Sequence, residues 1–271
     1  MNPEELVSQI YDWHKSRNEG SQRGHLGASL IGDPCGRKIW YSFRWASPPT
    51  FTGRHYRMFN RGIREEPLIY EELRGIGFKV SEVAEDGSQH SFKSIGGHFA
   101  GSADGIVEDK DGRRFLLEIK TAGKSAFNQL VKHGVHKSKP VHFGQMQTYM
   151  GKFNLPASIY IAVCKDDDRL HIETIEFDPD VAEELEEKAD YIITSDSPPA
   201  RMSQDPAFWL CKMCQFKEPC FGLSALAPSC RTCTHSTPTT NSQWACRLPG
   251  KERELDLEAQ KVGCHEFNPI Q

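Results

Sequence analysis

The sequence predicts an α/β fold with a central β-sheet, and three patterns support this prediction. Residues 99–107 and 114–120 are strand-like runs separated by a polar turn, which is typical of a β-hairpin. Residues 157–164 and 169–177 are apolar or alternating runs joined by Lys-Asp-Asp-Asp, and this second hairpin would widen the sheet. Helical periodicity before, between and after the hairpins supplies the flanking helices.

The remaining elements are predicted from periodicity and from cap residues. Predicted helices span residues 3–18, 35–45, 55–77, 125–136, 140–153 and 178–193. Asp33-Pro34 has the pattern of an N-cap followed by proline at the first helical position, and so does Asp178-Pro179. Residues 78–83 predict a further strand, and the Pro- and Ser-rich residues 195–206 indicate a linker.

Length and composition narrow the class of protein. The chain of 271 residues can bury a substantial core, and we expect one large domain, residues 1–225, followed by a cysteine-rich tail, residues 226–271. The net charge of −4 means that any attraction to nucleic acid must be local. No window approaches the ~18 apolar residues that span a membrane, and the acidic N-terminus lacks a signal-peptide pattern. We therefore expect a cytoplasmic protein without membrane contacts.

Three ionisable residues of the first hairpin predict a site for a divalent cation. Glu118 and Lys120 lie two positions apart, so their side chains point to the same face of a strand. Glu118 also interrupts an apolar run, where an unpaired carboxylate is costly. Asp104 and Glu118 can hold Mg²⁺ or Mn²⁺ through oxygen, with Lys120 positioning or activating a water. The alternative is an ordinary hairpin with a solvated charged face.

A basic and aromatic segment, residues 35–64, contains no acidic residue. In an acidic protein this segregation predicts a DNA-binding surface, with cations for the phosphates and rings for stacking. The alternative is that the rings belong to the core and the arginines are merely exposed. The segment carries Arg37, Lys38, Arg44, Arg54, Arg57, Arg61 and Arg64, together with Trp40, Tyr41, Phe43, Trp45, Phe51, Tyr56 and Phe59.

The hairpin motifs resemble the core of the PD-(D/E)xK nucleases, in particular the RecB-like and phage-recombination exonucleases. Gly101-Ser-Ala-Asp104 and Glu118-Ile119-Lys120 match that core. In the family the aspartate and glutamate bind the metal, and the lysine serves the water. The resemblance implies that the Ile119 carbonyl joins Asp104 and Glu118 around the ion. It also implies a restriction-endonuclease-like fold, with a central mixed sheet flanked by helices.

Two helical motifs extend this resemblance beyond the hairpin. In the family, a helix ahead of the core carries a glycine followed four residues later by a histidine or glutamate that faces the metal. Gly62 and Glu66 match this spacing, and Glu65 is the rival. Gln145-Met-Gln-Thr-Tyr149 resembles the Gln-x-x-x-Tyr motif, with both residues on one helical face. By resemblance, Gln145 would lie near the scissile phosphate and Tyr149 would pack against or contact the DNA strand.

Cysteine spacing predicts a first metal cluster. Nine cysteines in a reducing compartment favour metal binding over disulfides. Cys211-x₂-Cys214-x₅-Cys220 supplies three ligands, and Cys35 is available as the fourth; four thiolates suit Zn²⁺ or an iron–sulfur cluster. The arrangement is similar to the iron–sulfur staple of AddB-type and CRISPR-associated RecB-like nucleases. That resemblance implies a structural [4Fe–4S] cluster.

The tail predicts a second metal site. It is short and polar, so a bound metal would supply much of its folding energy. Its Cys-x-x-Cys knuckle favours Zn²⁺, with His235 or His265 as substitute ligands and a second iron–sulfur cluster as the alternative. The four cysteines are Cys230, Cys233, Cys246 and Cys264.

The ordered set of motifs predicts a Mg²⁺- or Mn²⁺-dependent deoxyribonuclease. The resemblance implies an exonuclease of recombination or repair in a bacterial or phage-infected cytoplasm. Its expected partner is single- or double-stranded DNA, with a recombinase or single-strand-binding protein as a further candidate; no oligomeric state is specified. The first alternative is a non-catalytic DNA-binding accessory protein with a nuclease-like fold, and the second is an iron–sulfur redox or sensing protein.

Overall fold

The protein is built around a five-stranded mixed sheet. The computed structural model describes residues 2–18, 22–47 and 51–270. In chain order the helices and strands of those residues are α1 (Pro3–Ser16), β1 (Leu26–Gly27), α2 (Ala28–Ile31), α3 (Gly36–Phe43), α4 (Gly53–Gly75), β2 (Lys79–Ser81), β3 (Ser91–Ser94), β4 (Phe99–Ser102), β5 (Gly105–Glu108), β6 (Arg114–Ala122), α5 (Lys124–Ser138), α6 (Pro140–Phe153), β7 (Ala157–Cys164), β8 (Leu170–Glu176), α7 (Pro179–Thr194), α8 (Trp209–Lys212), α9 (Lys217–Cys220), β9 (Ser236–Pro238), β10 (Trp244–Cys246), β11 (Arg253–Leu255) and α10 (Leu257–Lys261).

The strand order of the main sheet is β2-β5-β6-β7-β8. β6 and β7 run parallel and are joined through α5 and α6, whereas every other neighbouring pair is antiparallel. A parallel pair needs a long crossover, and the two helices supply it. The predicted central mixed sheet and its two hairpins, β5–β6 and β7–β8, are therefore confirmed.

Helices cover both faces of this sheet, and strand periodicity decides which residue meets which helix. Leu117 and Ile119 of β6 pack in one cluster with Ile69 and Leu73 of α4. Leu116, on the opposite face, belongs to the large cluster that contains residues of α5, α6 and α7. Because successive strand residues alternate between faces, Glu118 and Lys120 share the face of Leu116.

The run over residues 99–107 differs from its prediction as one strand. β4 belongs to a separate three-stranded sheet of order β1-β4-β3, and β5 belongs to the main sheet. At the break, the Ser102 carbonyl accepts a hydrogen bond from the Tyr149 hydroxyl at 2.8 Å. The Asp104 carbonyl accepts one from the Tyr70 hydroxyl at 2.7 Å. The two tyrosines satisfy the backbone where strand pairing lapses, so the chain can change sheets.

Helix boundaries differ modestly from the predicted ones. α3 begins at Gly36 with Cys35 as its N-cap residue, so the predicted placement of Pro34 at the first helical position was wrong. Asp33 instead accepts a hydrogen bond from the Cys35 N–H through Oδ1 at 2.9 Å. α6 matches its predicted bounds. α5 kinks at Gly134, whose φ of 72° lies outside the helical region.

The C-terminal residues share a core with the rest of the protein. Trp244, Leu255 and Ile270 belong to the same hydrophobic cluster as Trp40 of α3. The predicted boundary between residues 225 and 226 stays a prediction, but the two parts pack as one. Among the described residues, no helix is long and apolar enough to cross a membrane.

Arg231 joins the C-terminal part to the N-terminal part. Its side chain is 1% exposed, and its guanidinium lies 4.0 Å from the ring centroid of Trp45 and 4.4 Å from that of Trp244. It donates hydrogen bonds to the carbonyls of Phe43 and Gly24 and to the side chain of Gln260. Every bond here has a buried or half-buried partner, so the loss of this side chain would leave several acceptors unpaired.

We expect Arg231→Ala to lower the free energy of unfolding by about 3 kcal/mol or more, because it strands these acceptors and opens a cavity between two tryptophans. Urea denaturation measures the change. Arg253→Ala, an exposed arginine of the same C-terminal part, is the matched control and should have little effect. Equal stability of both variants would contradict a shared core.

Candidate active site

Asp104 lies at the break between β4 and β5, beside the middle of β6. Its Oδ2 accepts a hydrogen bond from the Ile119 N–H at 2.8 Å and lies 3.9 Å from Lys120 Nζ. The N–H and C=O of one strand residue point to the same side, so the Ile119 carbonyl also lies on the Asp104 side of β6. Asp104 immediately precedes β5, so its side chain takes the place of a strand neighbour for the part of β6 that β5 does not pair with.

Glu118 and Lys120 form a buried ion pair on β6. The glutamate is 0% exposed, and its Oε2 accepts a hydrogen bond from Gln145 Nε2 at 3.2 Å. Burial raises the pKa of Glu118 to about 7; Lys120 opposes this shift, and Asp104 adds to it. Burial lowers the pKa of Lys120, but the charges of Glu118 and Asp104 outweigh it and hold that pKa above its ordinary value.

Glu66 approaches this pair from α4. Burial raises the pKa of the Glu66 carboxyl to about 7, and repulsion from Asp104 adds to the shift, while Lys120 opposes it. These interactions identify Glu66 as the α4 glutamate that faces Asp104 and Lys120. The rival Glu65 lies about 100° around the helix.

Gln145 and Tyr149 lie on one face of α6, as their spacing predicts, but they contact different groups. Gln145 bonds to Glu118, whereas Tyr149 bonds to the backbone of Ser102. Gly101 permits this approach, since a Cβ at that position would lie 2.7 Å from the tyrosine hydroxyl. From α6, Gln145 therefore holds the Glu118 carboxyl, and Tyr149 holds the backbone at Ser102, close to Asp104.

His142 and Tyr160 complete the site, and no sequence motif contains either of them. His142 Nδ1 and the Tyr160 hydroxyl are 2.9 Å apart. Burial, together with the smaller effects of Lys120 and Lys139, lowers the pKa of His142 to about 3, so the imidazole is neutral. The available signal was the position of His142 three residues before Gln145, which places both on one helical face.

Some of these side chains line a cavity of about 650 Å³. Its lining includes Asp104, Lys120, His142, Gln145 and Tyr149, together with the basic residues Arg23 and Lys93. Asp104 is the single acidic residue among the described residues that line it. The cations of this lining would therefore attract an anionic ligand.

The donor set suits a hard divalent cation. Glu66, Asp104, Glu118 and the Ile119 carbonyl supply oxygen ligands. Burial is the main reason for the raised pKa values of Glu66 and Glu118, and repulsion from Asp104 adds to both shifts. Across residues 2–18, 22–47 and 51–270, no three His, Cys, Asp or Glu side chains stand grouped as they would around an ion. In this arrangement Glu118 is directed at Lys120 and Gln145.

The basic and aromatic segment divides into a buried half and an exposed half. On α3, Trp40, Tyr41 and Phe43 are buried, and Arg44 is 1% exposed with hydrogen bonds to the carbonyls of Ser195 and Ser236. These residues belong to the core and cannot contact DNA. The exposed half, on and just before α4, comprises Arg54, Arg57, Arg61, Arg64, Phe51 and Phe59.

Within each predicted cysteine set some thiols lie near enough to raise the pKa of a neighbouring thiol, but no three thiols of the described residues are grouped as they would be around an ion. Burial raises the pKa of the Cys214 thiol, and Cys35 and Cys220 add to the shift; the pKa of Cys211 is raised by burial and then by Cys220 and Cys35. In the tail, burial and the three neighbouring thiols Cys264, Cys233 and Cys246 raise the pKa of Cys230. Cys35 thus lies near enough to influence the thiols of Cys211 and Cys214, although it is distant from them in the sequence.

Solved structures that are similar to this chain include the following three. Two structures of the alkaline exonuclease LHK-Exo from Laribacter hongkongensis, one in complex with dAMP, align at TM-scores of 0.46 and 0.47, with 21% and 20% identity. Each alignment covers 66% of this chain and 90% of the exonuclease. A structure of SSO0001 aligns at a TM-score of 0.45 with 18% identity, covering 79% of this chain and 92% of that chain. No family model and no curated protein matches the sequence.

We expect the Glu66 carboxyl to lower the stability of the folded protein as pH rises in the absence of divalent cations. The folded protein holds the Glu66 proton up to a pH of about 7, whereas the unfolded chain releases it near 4.5. The stabilising contribution is therefore present below about pH 4.5 and is lost as pH rises through 7.

Glu66→Gln removes this loss. The difference in the free energy of unfolding between the variant and wild type should therefore shift in favour of the variant by about 1 kcal/mol from about pH 5 to pH 8, after allowance for solvent screening. Thermal unfolding in EDTA at both pH values measures the difference. Glu65→Gln is the matched control. A pH-independent effect of Glu66→Gln would show that this carboxyl does not sense its acidic neighbours.

Proposed function

We propose that the protein is a deoxyribonuclease that uses Mg²⁺ or Mn²⁺ to hydrolyse phosphodiester bonds. The observation that carries the proposal is that Glu66, Asp104 and Glu118 all act on Lys120 or on one another beside a cavity lined by Asp104, Lys120 and the cations Arg23 and Lys93. Oxygen ligands for a hard cation, a half-buried ammonium and a lining that attracts anions suit metal-dependent phosphodiester hydrolysis.

Glu66, Asp104, Glu118 and the Ile119 carbonyl would hold the cation. When bound, a divalent cation stabilises the charge that develops on the phosphoryl oxygens and lowers the pKa of a water ligand. Lys120, whose pKa lies above its ordinary value, stays protonated at neutral pH. It therefore donates hydrogen bonds to the attacking water or to the phosphate and does not act as a general base.

Neighbouring side chains hold these groups in position. Gln145 restrains the Glu118 carboxyl through a hydrogen bond, and Tyr149 anchors the end of β4 beside Asp104. His142 is neutral and pairs with Tyr160, so it adds no positive charge that would compete with a cation. We assign these three residues positioning roles.

The finer parts of the proposal rest on the resemblance of the motifs. They are exonucleolytic action on DNA, a role in recombination or repair together with a recombinase or single-strand-binding protein, and a location in a bacterial or phage-infected cytoplasm. The exposed arginines of α4 support the choice of a polyanionic substrate, because Glu66 lies on the same helix.

We further propose two structural metal sites. Cys35, Cys211, Cys214 and Cys220 would form a set of four soft ligands that suits a [4Fe–4S] cluster, and the influence of Cys35 and Cys220 on the pKa of Cys211 and Cys214 supports it. Cys230, Cys233, Cys246 and Cys264 suit Zn²⁺. Both sites would tie the C-terminal segments to the fold without a redox role.

Asp104→Asn and Lys120→Ala should each lower metal-dependent DNA degradation by at least about 100-fold, because each removes a charge that acts on the reacting groups. Asparagine keeps an oxygen for the Ile119 N–H, so the fold should survive. Degradation of linear DNA is measured with Mg²⁺ or Mn²⁺ and with EDTA.

Asp111→Asn, in the exposed β5–β6 turn, is the matched control and should retain full activity. Full activity of Asp104→Asn and Lys120→Ala would overturn the site assignment. A wild-type protein that binds DNA but degrades none under any metal condition would favour the non-catalytic alternative.

Anaerobically purified protein should contain both iron and zinc and should absorb visible light through thiolate-to-iron charge transfer. Cys35→Ser and Cys214→Ser should lose the iron and its colour while keeping zinc, whereas Cys230→Ser should do the reverse. Cys164→Ser, at a buried core thiol of β7, is the control and should keep both metals. Colourless protein that contains only zinc would refute the iron–sulfur cluster.

A further inference from the structure

A second groove opens beside the active-site cavity. We propose that it binds an unpaired strand of nucleic acid by base stacking and leads that strand to the active site. The groove, called the side groove here, has a volume of about 730 Å³, and its lining includes Arg23, His25, Lys38, Phe51, Phe59 and Met213. The destination of the strand rests on the proposed nuclease function, but the binding itself does not.

The side groove is continuous with the active-site cavity. Arg23, His25 and Ser29 line both. Arg23 is exposed, and its Nη1 donates a hydrogen bond to Ser29 Oγ at 3.1 Å, which holds the guanidinium at the junction of the two spaces. A chain-like ligand in the side groove can therefore extend into the cavity that contains Asp104 and Lys120.

Exposed aromatic rings form one wall of the side groove. Phe51 and Phe59 are 43% and 42% exposed, and their ring centroids lie 5.3 Å apart in an edge-to-face arrangement. Large rings rarely remain this exposed in clusters without a ligand or partner. Unpaired bases stack on such rings whatever their sequence, whereas the bases of a duplex already stack on each other.

The charge of the side groove selects an anion. Arg23 and Lys38 line it, with Lys38 paired to Asp33 outside the lining, and none of the described lining residues is an aspartate or glutamate. The active-site cavity adds Lys93 and contains Asp104 as its single described acidic lining residue. The whole chain has a net charge of −4, so the positive charge of this lining is opposite in sign to the charge of the molecule. Rings together with cations along a groove are the requirements for binding a single strand.

The opposite wall comes from the first cysteine set. Met213, Gln215 and Phe216 line the side groove and lie between or beside Cys211, Cys214 and Cys220. The groove is thus formed between this cysteine-bearing segment and the chain entering α4. Those two segments are more than 150 residues apart in sequence, so the groove exists only in the folded protein.

Fluorescence anisotropy in EDTA tests the proposal without catalysis. The probes are a labelled oligothymidylate of about 12 nucleotides and a blunt duplex. The double variant Phe51→Leu/Phe59→Leu keeps apolar volume but removes both rings. It should bind the single strand at least about fivefold more weakly per ring, with unchanged affinity for the duplex. Phe51→Tyr/Phe59→Tyr keeps the rings and should bind like wild type.

One control variant and one charge variant complete the test. Tyr191→Leu removes an exposed ring of α7 outside the groove and should change nothing. Arg23→Gln should reduce the slope of the logarithm of affinity against the logarithm of salt concentration by about 0.7 for the single strand, as expected for one lost phosphate contact. Thermal unfolding verifies that each variant folds.

Unchanged single-strand binding by the leucine double variant would overturn the inference, and so would an equal loss for both probes. A wild-type protein that binds the duplex more tightly than the single strand would also overturn it. If instead the wild type binds the single strand through these rings but degrades no DNA, the side groove stands and the proposed nuclease function fails.

Discussion

The buried carboxyl group of Glu118 is the constraint on which the candidate site depends. A carboxylate within the central strand of a sheet covered by helices on both faces is unfavourable unless other groups compensate. Lys120 supplies the opposite charge, and Gln145 supplies a hydrogen bond from the helix above. Even so, the pKa of Glu118 stays raised, so the compensation is incomplete. A site with a residual demand for positive charge is well suited to a divalent cation.

Asp104 reaches this carboxyl because the chain changes sheets beside it. β4 belongs to the small sheet and β5 to the main sheet. Asp104, which lies between the two strands, can therefore place its side chain where a strand neighbour of β6 would be. Tyr70 and Tyr149, from helices on opposite faces of the main sheet, satisfy the backbone at the break. The break between β4 and β5 is therefore also the feature that brings Asp104 close to Glu118.

The C-terminal residues contribute to the site indirectly. Arg231 bonds to the carbonyl of Gly24, next to Arg23 and His25 at the junction of the two cavities. The segment that carries Cys211 and Cys214 forms a wall of the side groove. A metal bound to either cysteine set would thus stabilise the approach to the active site without touching the reacting groups.

The sequence by itself determined the main strands, the long helices and the order of the acidic and amide residues, because strand and helix periods and turn chemistry are local. Its cysteine spacing predicted two metal-binding sets, and these sets stay predictions. It could not determine that residues 99–107 divide between two sheets, since the decisive hydrogen bonds come from Tyr70 and Tyr149. It could not separate the buried rings of α3 from the exposed rings near α4, and it did not predict the contact between His142 and Tyr160. Those outcomes were decided by tertiary structure alone, because burial and long-range hydrogen bonds depend on what packs against a residue and not on its neighbours in the chain.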